Sequence, residues 1–159
     1  MKKLIMVLAA LLMFNAAHAQ FYAGGVAGLA LNSNSGDTNF TLTLDPEVGY
    51  SFNDKLGVGA QLILSVSNMT IIGVSPYVRY TFAQVGPVSL FADAAFTYRR
   101  VTGEYGFSNW EVGLYPGIAI PVSDRISFVG HFGNLSYDSA KNFNIGVMSG
   151  ANVGIFYSF

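Results

Sequence analysis

The 159-residue chain contains no cysteine, which excludes disulfide staples and thiolate metal sites alike. Charge is scarce as well: Asp, Glu, Lys and Arg make up only 11% of the residues, too few to cover the surface of an ordinary water-soluble globule. Eight basic residues stand against nine acidic ones, so the charge balance is not that of a nucleic-acid-binding protein. Long apolar runs are also missing, since no stretch beyond residue 19 reaches the roughly eighteen residues that a membrane-crossing helix requires. What the chain has in quantity is aromatic side chains, 14%, and glycine, at 18 positions. The membrane-spanning structure compatible with few charges and no helical span is a closed β-barrel, in which strands satisfy one another's backbone groups and no edge stays open.

The N-terminus points to export. Lys2 and Lys3 precede an apolar stretch from Leu4 to Phe14, and Ala17-His18-Ala19 offers an A-x-A cleavage site, so residues 1–19 read as a removable secretory signal peptide. That apolar core is too short for a permanent helical anchor. No cysteine follows the cleavage site, which excludes lipoprotein attachment. Lys2 and Lys3 leave with the signal, so residues 20–159 carry six basic and nine acidic residues, a net charge of −3. Their length suits one domain, with no second domain expected after it.

From Phe21 onward, eight segments alternate between apolar and polar or glycine positions, the period of a β-strand. The second is nearly complete: Leu42, Leu44, Pro46, Val48, Tyr50 and Phe52 share one face, and Thr43, Asp45, Glu47, Gly49 and Ser51 the other. Strands are predicted at about 21–31, 40–52, 56–66, 70–82, 87–100, 109–122, 126–137 and 143–159. The seventh is the least regular, with Ile126, Phe128 and Phe132 on one face and Ser127, His131 and Gly133 on the other. Tight turns are predicted at 53–55, 84–86 and 123–125, and longer loops at 32–39, 67–70, 101–108 and 138–142. A phrase recurs at the strand ends: Val48-Gly49-Tyr50-Ser51-Phe52, Val78-Arg79-Tyr80-Thr81-Phe82 and Ile155-Phe156-Tyr157-Ser158-Phe159. Aligning Phe52, Phe82, Val122 and Phe159 puts the even-numbered strands in register. It also sets Pro46, Pro76 and Pro116 at one shared offset, six residues earlier. Proline removes a ladder hydrogen bond, so bulges or kinks are expected there.

The signal peptide, the eight alternating strands, the short turns and the terminal Tyr157-Ser158-Phe159 together resemble the small eight-stranded outer-membrane β-barrels, the group of OmpX-type proteins and the OmpA-type transmembrane domain. The resemblance covers residues 20–159. It implies an all-β, eight-stranded antiparallel up-and-down transmembrane barrel in the cell outer membrane. Its partners would be lipopolysaccharide and phospholipid, together with the barrel-assembly machinery that reads the C-terminal strand. The barrel would be a monomer without nucleic-acid partners, with both termini and the tight turns periplasmic and the longer loops outside. The loops are modest, although Tyr105, Phe107 and Asn109 offer side chains for a partner. Tyr50, Phe52, Tyr80, Phe82, Tyr157 and Phe159 are expected to form the periplasmic aromatic girdle, and Phe40, Phe96, Tyr98, Trp110 and Phe143 to lie toward the outer one.

The inward face carries the candidate site, a polar network of Glu47, Gln61, Tyr77, Arg79, Asp93, Arg99, Glu111, Tyr115 and His131. Constant index sums about the turns set Glu47 opposite Gln61, Arg79 diagonal to Asp93 past Tyr77, Arg99 opposite Glu111 and Tyr115 opposite His131. Such pairs gate a narrow porin-like water path or plug the lumen. An eight-stranded barrel is only wide enough for its own side chains, which favours the plug. Inward glycines, among them Gly49, Gly59 and Gly117, leave room for residual water. A structural or interaction-mediating role is the primary expectation.

An enzyme is the weaker alternative. The stretch His131-Phe132-Gly133-Asn134-Leu135-Ser136 faintly resembles the His and Ser segment of lipid A deacylases, which place Ser two residues after His. Here that position is Gly133, and Ser136 has the opposite strand parity from His131. No catalytic residue and no cofactor are predicted, and a lone His without clustered carboxylates is no metal site. A soluble lipocalin-type barrel would need the reverse polarity, with charges outside. Deleting Phe159 is therefore expected to impair membrane insertion far more than Phe52→Ala or Phe82→Ala. Recovery of each variant in the outer-membrane fraction measures this, and equal defects would reduce the final aromatic to a girdle residue.

Overall fold

The computed structural model describes residues 20–34, 37–67, 69–103 and 106–159. The predicted signal peptide and the loop residue Tyr105 lie outside the described residues, as do the side chains of 28–40 and 148–152, including the girdle candidate Phe40. Eight strands follow in chain order: β1 Gln20–Asn34, β2 Asp37–Ser51, β3 Leu56–Val66, β4 Thr70–Val85, β5 Val88–Thr102, β6 Ser108–Pro121, β7 Ile126–Asp138 and β8 Phe143–Ser158. Each pairs antiparallel with the next, and β8 returns to β1, closing the barrel. The closing seam sets Tyr22 to Gly25 against Ser158 to Ile155, and the Phe159 amide donates to the Phe21 carbonyl at 2.9 Å. Predicted and observed strands coincide in number, order and, within a few residues, in bounds.

The polarity of the wall follows the strand period. Along β4, Ile72, Val74, Val78, Tyr80 and Phe82 are all exposed, while Gly73, Ser75 and Tyr77 between them are buried. Large apolar side chains that face outward all round the barrel, such as Val48, Leu62, Leu114 and Ile155, make a surface that suits lipid and not water. Rings gather at both rims. Near the tight turns Tyr50 lies 4.7 Å from Phe21 and 5.3 Å from Phe52, and Tyr157 lies 5.1 Å from Phe159. At the loop end Trp110 packs 6.4 Å from Tyr137. Phe21 and Tyr137 were not in the predicted girdle, yet both face outward there.

The predicted loop at 32–39 is largely ladder. Asn32 pairs with Asn39, Ser33 with Thr38 and Asn34 with Asp37, so β1 and β2 run on for 15 residues each. About 9–11 residues suffice to cross the hydrocarbon layer, and the surplus at this end is Asn, Ser and Thr, which pair as strand while remaining wettable. Polarity alone marks the water boundary, not the end of the hydrogen-bonded strand.

The three prolines behave alike on one side only. Pro46, Pro76 and Pro116 keep register with the preceding strand, opposite Gly25, Ala60 and Ala92. On the other side the ladder skips each of them, resuming from Leu44 to Glu47, Val74 to Tyr77 and Leu114 to Gly117. Each missing N–H thus falls toward the following strand. At Pro46 and Pro76 the register is unchanged across the gap, so the expected bulge does not form there. At Pro116 it does: β7 carries one residue more than β6 between the flanking pairs, Leu114–Leu135 and Gly117–His131. That extra residue reverses inside and outside along the rest of β7. Val129 is buried at an odd position before it and Ser136 at an even one after it, while Leu135 and Tyr137 turn out to lipid. Gly133, predicted inward, consequently lies against the outward Pro116 ring, where an added Cβ would stand 3.2 Å from it.

A closed barrel of this kind is expected to stay folded in dodecyl sulfate at room temperature. Unboiled mature protein should run faster on a gel than boiled protein, and identical migration would count against closure.

Candidate functional site

The inward side chains divide the lumen into two storeys. Nearer the tight turns lies an aromatic floor of Tyr22, Tyr77, Phe91 and Phe156, all at most 9% exposed, with Phe91 at 1%. Three of these rings occupy the space left by inward glycines. A Cβ at Gly49 would strike the Tyr22 ring, one at Gly59 the Tyr77 ring, and one at Gly117 the Phe91 ring. The expectation that glycine leaves water-filled space fails at these positions, because the missing side chain is what admits the neighbouring ring.

Arg79 sits within this floor. Its Nε and Nη2 donate to the two oxygens of Asp93 at 2.8 and 2.7 Å, a forked arrangement, and Nη2 also reaches Glu47 Oε1 at 3.2 Å. The guanidinium carbon lies 4.2 Å from the centroid of Phe91 and 5.1 Å from that of Tyr77, close enough for cation–π attraction. Glu47 in turn accepts from the Tyr77 hydroxyl. That leaves the Tyr77 oxygen to accept from the Tyr22 hydroxyl at 2.7 Å, so a directed chain runs from Tyr22 through Tyr77 to Glu47. His131 Nε2 stands 2.8 Å from Asp93 Oδ2 and donates to it, which fixes the proton on that nitrogen. One cation, two carboxylates and their polar partners from five strands are thereby joined across the lumen.

A second group lies toward the loop end. Glu111 accepts from Tyr115 and pairs with Arg99 at 3.5 Å, while Ser75 and Thr97 hydroxyls bond at 2.8 Å between the two groups. All nine predicted interior residues line the lumen, yet three of the four predicted pairings change. Glu47 is opposite Gln61 as expected. Arg79 faces Asp93 directly instead of diagonally, Glu111 faces Thr97 and reaches Arg99 on the diagonal, and Tyr115 faces Asp93 while Gly117 faces His131. Turn geometry causes the first two changes, and the β6–β7 bulge, which leaves Tyr115 without a β7 partner, causes the third. Moving a turn centre by one residue slides every partner by two, and β4 also bulges between Thr81 and Ala83.

Tyr22, Phe91 and Phe156 were missed as interior residues. Their signal was available: Phe91 shares parity with Ser89 and Asp93, and Phe156 with Gly154 and Ser158. An aromatic among small inward positions fills the gaps they leave. His131 was also expected to lack a carboxylate neighbour, and Asp93 corrects that, coming from a strand 38 residues distant in sequence. The objection that Ser136 has the wrong parity to share a face with His131 falls too, because the β7 bulge turns both inward. Their chemistry is nevertheless separate, since His131 Nε2 is held by Asp93 and the Ser136 hydroxyl lies 3.5 Å from Asn134 Nδ2.

Fold and exterior together define a transmembrane β-barrel of eight antiparallel strands. No protein-family model and no curated protein sequence matches the chain. Among solved structures it is similar to Neisserial surface protein A (NspA), with a TM-score of 0.53 at 13% identity over 89% of this chain and 96% of that one. Lower TM-scores relate it to a designed transmembrane β-barrel, 0.46 at 12% identity over 92% of this chain and 100% of that one, and to a major outer membrane protein of Thermus thermophilus, 0.42 at 13% over 89% and 99%. At these identities the likeness is one of fold.

Removing Arg79 strands two buried carboxylates. Arg79→Ala is expected to destabilise the barrel by roughly 3–5 kcal/mol, and Arg79→Lys, which cannot fork onto Asp93, by less. Urea midpoints of refolded protein in detergent test this, with exposed Arg125→Ala as control; an unchanged midpoint for Arg79→Ala would remove the network from the stability argument.

Proposed function

We propose that the chain is a small integral protein of the cell outer membrane, delivered by a cleaved signal peptide at residues 1–19, whose interior is a plug and whose role is structural or interaction-mediating. The observation that carries this reading is the position of Arg79. It bridges Glu47 and Asp93 amid four rings, leaving little room at that level for a continuous water column. An apolar exterior with aromatic rims supports residence among lipopolysaccharide and phospholipid, with the termini and tight turns periplasmic. The alternating final strand, ending in Tyr157 and Phe159, supports recognition by the barrel-assembly machinery. The reading assigns no catalytic residue, cofactor or metal, and takes the barrel as a monomer.

A narrow channel gated by exchange among the charge pairs is the second reading, favoured by the proximity of Arg99 and Glu111 to the open end. Planar-bilayer recordings separate the two. Refolded wild-type protein should be silent, with rare small openings after Arg79→Ala and none after Glu111→Ala. Steady wild-type conductance that either substitution alters would overturn the plug in favour of the channel.

A further inference from the structure

Above the aromatic floor the lumen opens into a cavity of about 390 Å³ that extends toward the loop end. That volume is in the range of small-molecule sites and exceeds the side-chain-filled interior expected of an eight-stranded barrel, so the lumen is filled at the aromatic floor and open above it. Its wall mixes two chemistries. Val26, Ile63, Ala95 and Val129 supply apolar surface, while Asp45, Glu47, Asp93 and Glu111 bring four carboxylates against the two guanidinium groups of Arg79 and Arg99. Formal charge is therefore negative even with His131 protonated.

Three of the four carboxylates are engaged. Glu47 has Tyr77 and Arg79, Asp93 has Arg79 and His131, and Glu111 has Tyr115 and Arg99. Asp45 differs. Its side chain is 8% exposed and lines the cavity, and its Oδ1 is buried without a hydrogen-bond partner among the described residues. An unsatisfied buried carboxylate oxygen is costly, and turning the Asp45 carboxylate toward a donor in the cavity offsets that cost. Asp45 sits beside the Pro46 gap: it pairs with Val26 of β1, but on the β3 side the ladder is interrupted and gives it no partner. Among the described residues no cluster of three His, Asp or Glu side chains is arranged to hold a metal, which directs attention to a cation that brings its own donors.

We propose that this cavity is a binding site for a small organic cation, an ammonium or amidinium group carrying a compact apolar body, with Asp45 as its counter-ion. The charged head pairs with the Asp45 carboxylate, which turns to face it, and the apolar body lies against Ile63, Ala95 and Val129. Entry is from the loop end, because Tyr22, Tyr77, Phe91 and Phe156 close the other. The site is a blind pocket.

Benzylammonium, benzyl alcohol and benzoate, closely matched in shape and different in charge, serve as probes. Titrated into refolded protein in zwitterionic detergent and followed by the methyl resonances of Val26, Ile63, Ala95 and Val129, benzylammonium should bind saturably and at least tenfold more tightly than benzyl alcohol. Benzoate should leave those methyls unshifted. Asp45→Asn should reduce benzylammonium affinity at least tenfold, whereas Asp54→Asn at the exposed turn should not change it. Ala95→Leu, which fills the cavity and leaves Asp45 in place, should abolish binding and covers the case in which Asp45→Asn does not refold. Equal affinity for benzyl alcohol, or benzylammonium binding untouched by the refolded variants, would overturn the proposal. A conducting wild-type barrel that still binds benzylammonium through Asp45 would overturn the plug and leave this site standing.

Discussion

Hydrocarbon offers a peptide group no hydrogen-bond partner, and the whole architecture answers that constraint. A strand placed in lipid needs a neighbour on each side, so eight of them must close into a ring with β8 paired back to β1. Closure then forces the two-residue alternation to divide every strand between lipid and lumen. It also makes the three prolines costly, since each removes one ladder bond within the wall. The chain places all three at one offset and turns each gap toward the following strand, and at Pro116 the strain is released as an extra residue on β7. That bulge alone decides that Ser136 faces inward and Leu135 faces lipid.

The second consequence of closure is a narrow lumen in which any inward charge is removed from bulk water. Arg79 is tolerable there because Asp93 takes its fork, Glu47 accepts a further bond from Nη2 and four rings lie near the guanidinium. The same crowding explains the glycines: rings as large as Tyr22, Tyr77 and Phe91 lie over the paired residue of the neighbouring strand, Gly49, Gly59 and Gly117, and fit there because that residue has no Cβ. Aromatic floor and ion network are thus one packing solution. Above it the wall no longer offers enough bulk to fill the space, and Asp45 is left beside a cavity.

Much of the fold was legible because lipid makes the strand period explicit. Leu42, Leu44, Val48 and Tyr50 against Thr43, Asp45, Glu47 and Gly49 state both the strand and its orientation. The strand ends were less legible at 32–39, since Asn, Ser and Thr are as content in a wetted ladder as in a loop. The interior was legible as a set and not as a set of contacts. All nine predicted residues reach the lumen, but partner assignment depends on turn centres and bulges, and a shift of one residue exchanges a facing pair for a diagonal one. The inward aromatics escaped because hydrophobicity was assigned to the lipid face, although parity placed Phe91 and Phe156 with the inward small residues.

The sequence by itself determined a closed eight-stranded antiparallel barrel, its inside and outside over most of its height, and its scarcity of charge, because period, strand number and composition are local or additive properties. Only the tertiary structure decided that Arg79 is forked onto Asp93, that His131 shares the same carboxylate, that β7 reverses its faces at Pro116, and that Asp45 Oδ1 is buried without a hydrogen-bond partner among the described residues. Those outcomes depend on register between strands and on which ring fills which gap. Register is a relation between distant segments that no single strand carries.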